Sequence, residues 1–289
     1  MSQYLIINGD DFGFSHGVNQ AIIQAHTQGI LTSTSLMVTG DAVEEAVALA
    51  KQHPNLGVGL HLVLGCGKSV LPPSQIPHLV NDQGEFLDNP AHAGWRYYFN
   101  AAARQELPLE IRAQLQKFQQ TGLELSHLDG HLHHHVNPAV LKILMDLAPE
   151  YNIPVIRLPY EELTFTLKID TQAWLSKLIG WVVFKQLRRH GESLLAAQGI
   201  PYVDRVYGLL QTGSVTEDYL LGLIPQIEAE IVEFYAHPGI ALDQEPENGP
   251  PGAGARELAA LLSHPVREQL LTRGFELTNY PQLQASGRL

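Results

Sequence analysis

The sequence predicts an α/β fold, a modified (β/α) barrel that resembles a TIM barrel with seven or eight parallel strands. Three observations favour it. Short apolar runs alternate with amphipathic helical patterns along the 289 residues. The runs are almost continuously apolar, as strands are when helices cover both faces of a parallel sheet. About eight such units in a chain of this length favour a closed or nearly closed barrel over the main alternative, an open doubly wound sheet.

The predicted strands and helices follow one another from one end of the chain to the other. The first strand covers residues 4–8, and Ser15 is the expected N-cap of a helix over 15–28. Further strands are expected at 33–40, 56–64, 123–131, 154–159, 202–209, 231–239 and 274–283, and further helices at 41–53, 108–121, 138–149, 217–229 and 254–272. Because no linker or composition shift divides the chain, we predict a single domain over 1–289.

Three excursions interrupt this alternation, at about 66–106, 160–200 and 240–253. The first and third are rich in Pro, Gly and Asn and are expected to cover a site at the barrel mouth. The second contains WLSKLIGWVVFKQL, residues 174–187, which charged and amide side chains interrupt too often for a membrane span. We expect an ordinary packed helix there, while a dimer face or a surface for a lipid-like substrate stays open.

Composition and charge exclude several classes of function. The 30 acidic residues outnumber the 18 basic ones, and the net charge of −12 disfavours a nucleic-acid partner. The single cysteine, Cys66, rules out an intramolecular disulfide and a cysteine-rich zinc module. The first strand follows no basic and apolar leader, so we expect a cytoplasmic protein.

Polar residues lie at the carboxyl ends of the predicted strands. Since those ends meet on one face of a barrel, we expect the side chains to converge there. Carboxylate oxygens and imidazole nitrogens suit zinc, manganese, iron or cobalt, and suit magnesium less well. The residues are Asp10, Asp11, His61, Asp129, His131, His133, His134, His135, Arg157 and His237.

Each of these residues also has a purely structural interpretation. The aspartate pair would serve as a cap or an Asx turn before Gly13, although Ser15 is the better cap. His61 has apolar neighbours that suit a hydrogen-bonded core histidine, and His237 precedes a Pro-Gly turn. Arg157 would also suit a structural ion pair. The histidines at 133–135 are expected to line a loop.

Five strings of residues carry a resemblance to a known family. NGDDFGFSHGVNQAI, GLHLVLG, HLDGHLHHH, PVIRLP and YAHPG occur in this order across nearly the whole chain. Together they resemble the YdjC-like family of carbohydrate deacetylases, which includes a chitooligosaccharide deacetylase and a protein associated with hopanoid biosynthesis. The resemblance implies a modified, deacetylase-like barrel that binds one divalent metal ion through one aspartate and two histidines.

Residue by residue, the resemblance implies Asp11, His61 and His131 as metal ligands. It makes Asp10 the catalytic base and His237 the catalytic acid. Substrate-binding or orienting residues would be Arg157, Asp129 and His133. This sequence has HLHHH where relatives alternate histidine with another residue, so the roles of His131, His133 and His135 stay open.

The predicted reaction is hydrolysis of an N-acetyl group with release of acetate. Amide hydrolysis needs a nucleophile, stabilisation of charge on the carbonyl oxygen and a proton for the leaving amine. A magnesium or zinc ion would meet the first two needs. The expected substrate is an acetylated amino sugar, in an oligosaccharide or in a glycolipid such as a glycosylated hopanoid. Trp95, Tyr97, Tyr98 and Tyr160 lie in covering segments, where they would stack on a sugar or on the domain's own core.

Two other classes of function stay open from the sequence. A metal-dependent phosphoesterase would use similar ligands, but it would need more basic residues than Arg157 to bind phosphate. A non-catalytic sugar-binding or metal-binding barrel would be expected to lose Asp10 and His237, which are both present. The sequence also allows a homodimer.

Overall fold

A parallel sheet of seven strands lies at the centre of the computed structural model, which describes residues 3–289. The strands are β1 Gln3–Phe12, β2 Ser33–Leu36, β3 Gly57–Leu62, β4 Leu128–Gly130, β5 Arg205–Tyr207, β6 Ile231–Ala236 and β7 Phe275–Thr278. The order across the sheet is β4-β3-β2-β1-β6-β5, and β7 pairs with the start of β1. Every pairing of these strands is parallel, which confirms the predicted α/β class.

β1 makes the sheet curl, because it pairs with three other strands. Its first residues pair with β7, its end pairs with β2, and β6 pairs with Tyr4–Gly9 on the other edge. Two strands that share one edge of β1 bend the sheet into a half-barrel around a common interior. The gap between the end strands β4 and β5 is crossed by residues 154–160, which make one bridge to each of them.

The crossing segment PVIRLP was expected to be a regular strand, and it makes only single bridges. Ile156 is bridged to Leu128 of β4, and Tyr160 is bridged to Val206 of β5. Pro154 and Pro159 have no N–H to donate, so a continuous ladder cannot form at either end of the segment. The barrel is therefore a modified one, whose closing strand is reduced to a bridging segment.

Helices surround the sheet, and most lie where the sequence predicts them. They are α1 His16–Gln28, α2 Val43–Gln52, α3 Pro90–Phe99, α4 Ala101–Gln120, α5 Pro138–Tyr151, α6 Leu163–Ile169, α7 Trp174–Gln198, α8 Glu217–Leu223, α9 Ala253–Leu262, α10 His264–Arg273 and α11 Tyr280–Ala285. Ser15 caps α1 as expected, since its hydroxyl accepts a hydrogen bond from the Val18 amide at 3.3 Å. In residues 3–289 there is no helix with the length and apolarity that crossing a membrane requires.

Three predicted helices differ from the observed ones. The helix expected over 108–121 begins seven residues earlier, at Ala101, and proline explains the other two differences. The helix expected over 254–272 is two helices, because Ser263 caps a new helix that contains Pro265 in its first turn. The helix expected over 217–229 ends at Leu223, where a short 3-10 turn containing Pro225 follows. Proline removes a helical hydrogen bond and its ring clashes with the preceding turn.

The two faces of β1 pack in two different apolar clusters. Leu5 and Ile7 point outward into the large core between the sheet and the helices. Tyr4 and Ile6 point inward, into a smaller cluster that fills the lower part of the half-barrel. This alternation follows from the two-residue period of a strand.

Candidate active site

The inner surface of the half-barrel changes from apolar to polar toward the carboxyl ends of its strands. On β1 the inward positions Tyr4 and Ile6 are followed by Asn8 and Asp10 at the same two-residue spacing. The other strands and the bridging segment contribute buried polar groups at the same level, namely His61, Asp129, Arg157 and Glu233. The predicted convergence of polar side chains at this end is present in the structure.

A backbone irregularity directs both aspartates of β1 to the site. Asp11 has a φ of 68°, and the pairing of β1 with β2 shifts register between Gly9 and Phe12. On a regular strand, consecutive side chains would point to opposite faces, so Asp10 and Asp11 would be separated. The bulge re-aims Asp11, as bulges next to active sites do. The sequence suggested a loop here, whereas β1 continues to Phe12.

Asp11, His61 and His131 form a compact cluster. Oδ1 of Asp11 lies 3.0 Å from Nε2 of His61 and 2.8 Å from Nδ1 of His131. One ligand atom from each residue lies within 4.8 Å of the others, as a shared ion requires. Distant parts of the chain, residues 11, 61 and 131, therefore bring together the three residues that the sequence singled out as ligands.

The hydrogen bonding of His61 fits a metal ligand. Its Nδ1 lies 2.8 Å from Oδ1 of Asp129, which favours the tautomer with the hydrogen on Nδ1. The Nε2 lone pair then faces the Asp11 carboxylate at 3.0 Å, and Nε2 has no other partner. Two acceptors that face each other in a buried site require a proton or a cation between them.

Arg157 joins three carboxylates beneath this cluster. Its two terminal nitrogens donate to the two oxygens of Asp10, at 2.7 and 2.8 Å. Glu233 accepts from Nε at 3.0 Å and from Nη2 at 2.6 Å, while Oδ2 of Asp129 lies 2.8 Å from Nη1. Burial lowers the pKa of Arg157, but these three carboxylates hold it well above its usual range.

The buried site carries more negative than fixed positive charge. The site contains four carboxylates, Asp10, Asp11, Asp129 and Glu233, but only one guanidinium, that of Arg157, and all five residues are buried. Such a surplus is costly in a low-dielectric interior unless protons or a cation balance it. Its donor set of carboxylate oxygen and imidazole nitrogen suits a divalent ion.

The pKa shifts in the cluster show how protons substitute for that charge. Burial raises the pKa of Asp11, but His131 and His61 lower it to well below the usual range. Burial lowers the pKa of His61, but Asp129 and Asp11 raise it to well above the usual range. A metal ion that bound here would compete with protons for the same lone pairs.

His237 lies beside the cluster at the end of β6. Its Nε2 is 3.9 Å from Oδ2 of Asp11, and its backbone N–H donates to Oε2 of Glu257 at 2.5 Å. Burial lowers the pKa of His237, but Glu257 and Asp11 raise it, to about 9. The imidazole is therefore protonated at neutral pH, as a proton donor must be.

The His-rich string folds into an irregular 3-10 helix, His131–Val136, in which Leu132 and His133 have positive φ. His133 Nε2 lies 2.9 Å from the hydroxyl of Tyr235, and His135 Nε2 lies 2.9 Å from the carbonyl oxygen of Arg157. The ring of His134 packs on Tyr97. Of these four histidines, His131 alone lies within hydrogen-bond distance of Asp11.

Burial lowers the pKa of the other three histidines of the string. It lowers the pKa of His133 well below the usual range, and it lowers the pKa of His134 and of His135 to about 4. All three are neutral at pH 7. His135 then donates its Nε2 hydrogen to the Arg157 carbonyl, so it supports the segment that carries Arg157.

The structure adds residues that sequence reasoning missed. The side-chain amide of Asn248, in the third excursion, donates to Oδ2 of Asp11 at 2.5 Å. Ser35 Oγ lies 3.1 Å from His61 Nδ1. Glu233 was detectable as the single charge within the apolar run IVEFYA, whereas Asn248 lies in a segment without periodicity and had no sequence signal.

Comparisons with known proteins agree over almost the entire chain. A family model described as YdjC-like protein matches residues 4–272. A carbohydrate deacetylase of Brevibacillus brevis is 34% identical over 282 residues, which are 96% of this chain and 99% of that protein. A carbohydrate deacetylase of Clostridium beijerinckii is 29% identical over 282 residues, with the same coverage of 96% and 99%.

Solved structures show the same architecture. A protein of Enterococcus faecalis V583, named for a proposed role in cellobiose-phosphate cleavage, is similar with a TM-score of 0.77 and 27% identity. The match covers 98% of this chain and 99% of that protein. A protein of Agrobacterium tumefaciens C58, with a TM-score of 0.51 and 13% identity, shares the fold alone.

Proposed function

We propose that this chain, which belongs to the YdjC-like family, removes the N-acetyl group from an acetylated amino sugar by metal-dependent hydrolysis. The curated relatives that match its whole length are named carbohydrate deacetylases, which supports sugar deacetylation. The observation that carries the metal-dependent mechanism is the buried cluster of Asp11, His61 and His131, with Asp10 adjacent in sequence and buried beside it.

Asp11, His61 and His131 would hold the ion, one divalent cation that is zinc or magnesium. Two imidazole ligands favour zinc over magnesium, which prefers oxygen. When bound, the ion acidifies a water molecule and polarises the acetyl carbonyl. Asp129 orients His61 for this role from the far side of the ring.

Asp10 is the proposed base that takes a proton from the attacking water. The fork of Arg157 and the amide of Asn8 fix the plane of its carboxylate, with Asn8 donating to Oδ1 at 2.8 Å. A carboxylate oxygen has two acceptor positions, so these bonds leave room for one more hydrogen on the Asp10 group. The orientation is set before the substrate binds, which is how positioned acids and bases gain efficiency.

His237 is the proposed acid that protonates the leaving amine. Its raised pKa of about 9 keeps the imidazole charged at neutral pH. Because a raised pKa means that the proton is present below that value and lost above it, we expect this step to fail as the pH rises through about 9.

The predicted substrate-binding residues fall into two groups. Arg157 and Asp129 are fully buried and bonded to other site residues, so we propose that they orient the base and the ligand His61. His133 lines a groove of about 580 Å³ at the mouth, together with Trp95, Tyr98 and Phe184. This groove has room for a second sugar or for the apolar part of a glycolipid, such as a glycosylated hopanoid.

Charge disfavours the alternative of phosphate-ester hydrolysis. A phosphoester dianion would be repelled by four buried carboxylates, and the guanidinium of Arg157 is fully engaged by three of them. Only His237 would then balance the charge of the dianion beside the proposed ion. A neutral acetamide meets no such repulsion. A binding module without catalysis is disfavoured by the presence of both Asp10 and His237.

The decisive experiment measures acetate release with and without a chelator. The substrates are N-acetylglucosamine oligomers and a glycosylated hopanoid, and chelator-sensitive acetate is the expected result. Asp10→Asn and His237→Ala should each lower kcat by about a hundredfold or more while metal content is retained. Asp11→Asn should instead lose the metal. Release that is indifferent to the chelator, or kcat near wild type in both variants, would refute the mechanism.

A further inference from the structure

Helix α7 presents an apolar stripe to solvent. An ordinary surface helix turns its apolar stripe toward the core and its polar residues outward. On α7 the exposed apolar side chains lie on consecutive turns, and between 47% and 58% of each is accessible. They are Trp174, Leu175, Ile179, Val182 and Val183. The sequence predicted a packed helix here, and the helix is present with its apolar stripe uncovered.

Helix α3 presents further exposed apolar side chains, which meet the stripe at Val183. Trp95, Tyr98 and Phe99 are at least half exposed, and the rings of Trp95 and Phe99 stack at 5.1 Å. Residues of both helices line one groove, which reaches His133 and Phe184 at the mouth of the site. We call the exposed residues of α3 and α7 the apolar face, namely Trp95, Tyr98, Phe99, Trp174, Leu175, Ile179, Val182 and Val183.

The charge along α7 is opposite to that of the whole molecule, whereas α3 is preceded by the exposed carboxylate of Asp88. No carboxylate occurs between Asp170 and Glu192, although the protein has a net charge of −12. Arg189 and His190 are exposed at the end of the stripe. Beyond it, Arg104 and Lys142 line an adjoining groove with Tyr98, Phe99 and a single carboxylate, that of Asp146.

We propose that the apolar face docks the protein on a bilayer surface that carries anionic headgroups. Aromatic and aliphatic side chains beside basic residues are the composition of helices that lie in the membrane interface. Each basic residue near an anionic surface adds attraction, whereas the net negative charge of the rest of the molecule opposes other orientations. The apolar side chains and the basic residues together therefore set the orientation of the protein on the bilayer as well as its affinity.

A second copy of the chain fits this face less well. A two-fold interface would place the same surface on both subunits and bring their basic rims together. Repulsion between those rims would oppose the apolar gain, whereas anionic headgroups complement them. The apolar face also adjoins His133, whose ring contacts Tyr235 inside the site. A docked bilayer would thus lie against the mouth. The docking does not depend on the reaction proposed above.

The tryptophans make the docking directly measurable. All three tryptophans of the sequence, Trp95, Trp174 and Trp181, lie on α3 and α7. We expect their emission to shift to the blue when the full chain is mixed with phosphatidylcholine vesicles that contain about 30% phosphatidylglycerol. The protein should sediment with those vesicles, sediment less with pure phosphatidylcholine, and be released by high salt.

Substitutions separate the two contributions. Ile179→Ser combined with Val182→Ser should lower the partition coefficient at least about tenfold, because two exposed aliphatic side chains no longer enter the interface. Arg189→Glu should lower it roughly fivefold on anionic vesicles alone. Leu271→Ser and Arg267→Glu on α10 are matched controls at exposed positions and should leave it unchanged.

Two results would overturn the proposal. One is equal or absent binding to both vesicle types by folded wild-type protein. The other is a blue shift that appears without lipid as the protein concentration rises, together with a doubled mass in sedimentation equilibrium. The second result would assign the apolar face to self-association. Retained acetate release in either case would leave the proposed function intact.

Discussion

At the residue scale, Asp129 is bonded to His61, one of the three proposed metal ligands. Its carboxylate lies between His61 Nδ1 at 2.8 Å and Arg157 Nη1 at 2.8 Å. In Asp129→Asn one oxygen can still accept from His61, but the amide NH2 then faces the guanidinium of Arg157, where two donors repel. We expect His61 to lose its orientation.

The affinity for zinc should therefore fall about 10-fold to 100-fold in Asp129→Asn. Competition with a chromophoric chelator measures this affinity without any substrate. Asp146→Asn, at an exposed carboxylate of α5, is the matched control. Unchanged affinity in Asp129→Asn would show that the carboxylate does not orient the ligand.

Asn248 connects the third excursion to Asp11, another of the proposed metal ligands. Its amide donates to Oδ2 of Asp11, while Oδ1 faces the two histidines. Asn248→Ala removes the bond that keeps Oδ1 turned toward them, and we expect roughly tenfold weaker zinc binding. Asn248→Asp would place a second carboxylate against Oδ2 of Asp11, the oxygen that does not face the histidines.

Asp243→Asn, in the same excursion, should bind zinc as the wild type does. If Asn248→Ala also binds zinc normally but raises KM, the residue acts on the substrate and not on Asp11. Titration by isothermal calorimetry and steady-state kinetics on the same preparations distinguish the two roles.

At the scale of elements, Glu161 joins the second excursion to its neighbours. The residue is fully buried, and its carboxylate accepts from the Leu210 amide at 2.7 Å and from Thr166 Oγ1, in α6, at 3.1 Å. Tyr219 of α8 donates to it at 3.4 Å. Burial raises the pKa of Glu161 to about 7, against the opposing effect of these hydrogen bonds.

This raised pKa predicts a pH dependence of stability. The folded state retains the proton up to about pH 7, whereas the unfolded chain loses it near the ordinary glutamate value. The free energy of unfolding therefore contains a contribution that is fully present in acid and is lost as the pH rises through about 7. Its size is about 3 kcal/mol.

Glu161→Gln carries no titrating proton and should lose this dependence. Urea unfolding at about pH 5 and pH 8, which bracket most of the interval between the two pKa values, should show a smaller decrease in the free energy of unfolding for the variant than for the wild type. For Glu268→Gln, at an exposed position of α10, the free energy of unfolding should decrease as it does for the wild type. Equal decreases in the free energy of unfolding of all three proteins would mean that ionisation of Glu161 does not destabilise the folded state.

At the scale of the whole molecule, the cluster joins strands that are far apart in the chain. Asp11 ends β1, His61 lies in β3, and His131 follows β4. An ion that binds these residues only in the folded state stabilises the whole half-barrel, by about 4 kcal/mol at a thousandfold excess over Kd. The unfolded chain has no comparable site.

Zinc should therefore raise Tm by roughly 5 to 15 °C. Scanning calorimetry with and without chelator measures the shift. Asp11→Asn should abolish it, whereas His264→Asn, at an exposed histidine, should retain it. A Tm that is indifferent to zinc, manganese and magnesium would contradict a metal site at this cluster.

The sequence by itself determined the α/β class, most of the alternation of strands and helices, and the level of the half-barrel at which polar side chains gather. These features follow from local periodicity, because an apolar run that ends in Asp or His must place those groups at a strand end. Ser15 and the prolines act within a few residues, so they too are readable locally. Pro265 is also a local signal, for a helix break, although the helix predicted over 254–272 continued through it.

Only the tertiary structure decided which of the four histidines reaches Asp11, that Asn248 returns to the same carboxylate, and that three carboxylates share Arg157. It also decided that the apolar stripe of α7 is uncovered. Periodicity states which side of a helix is apolar, but coverage depends on which distant segment packs against it. Contacts across more than a hundred residues, such as His131 with Asp11, leave no periodic trace in the chain.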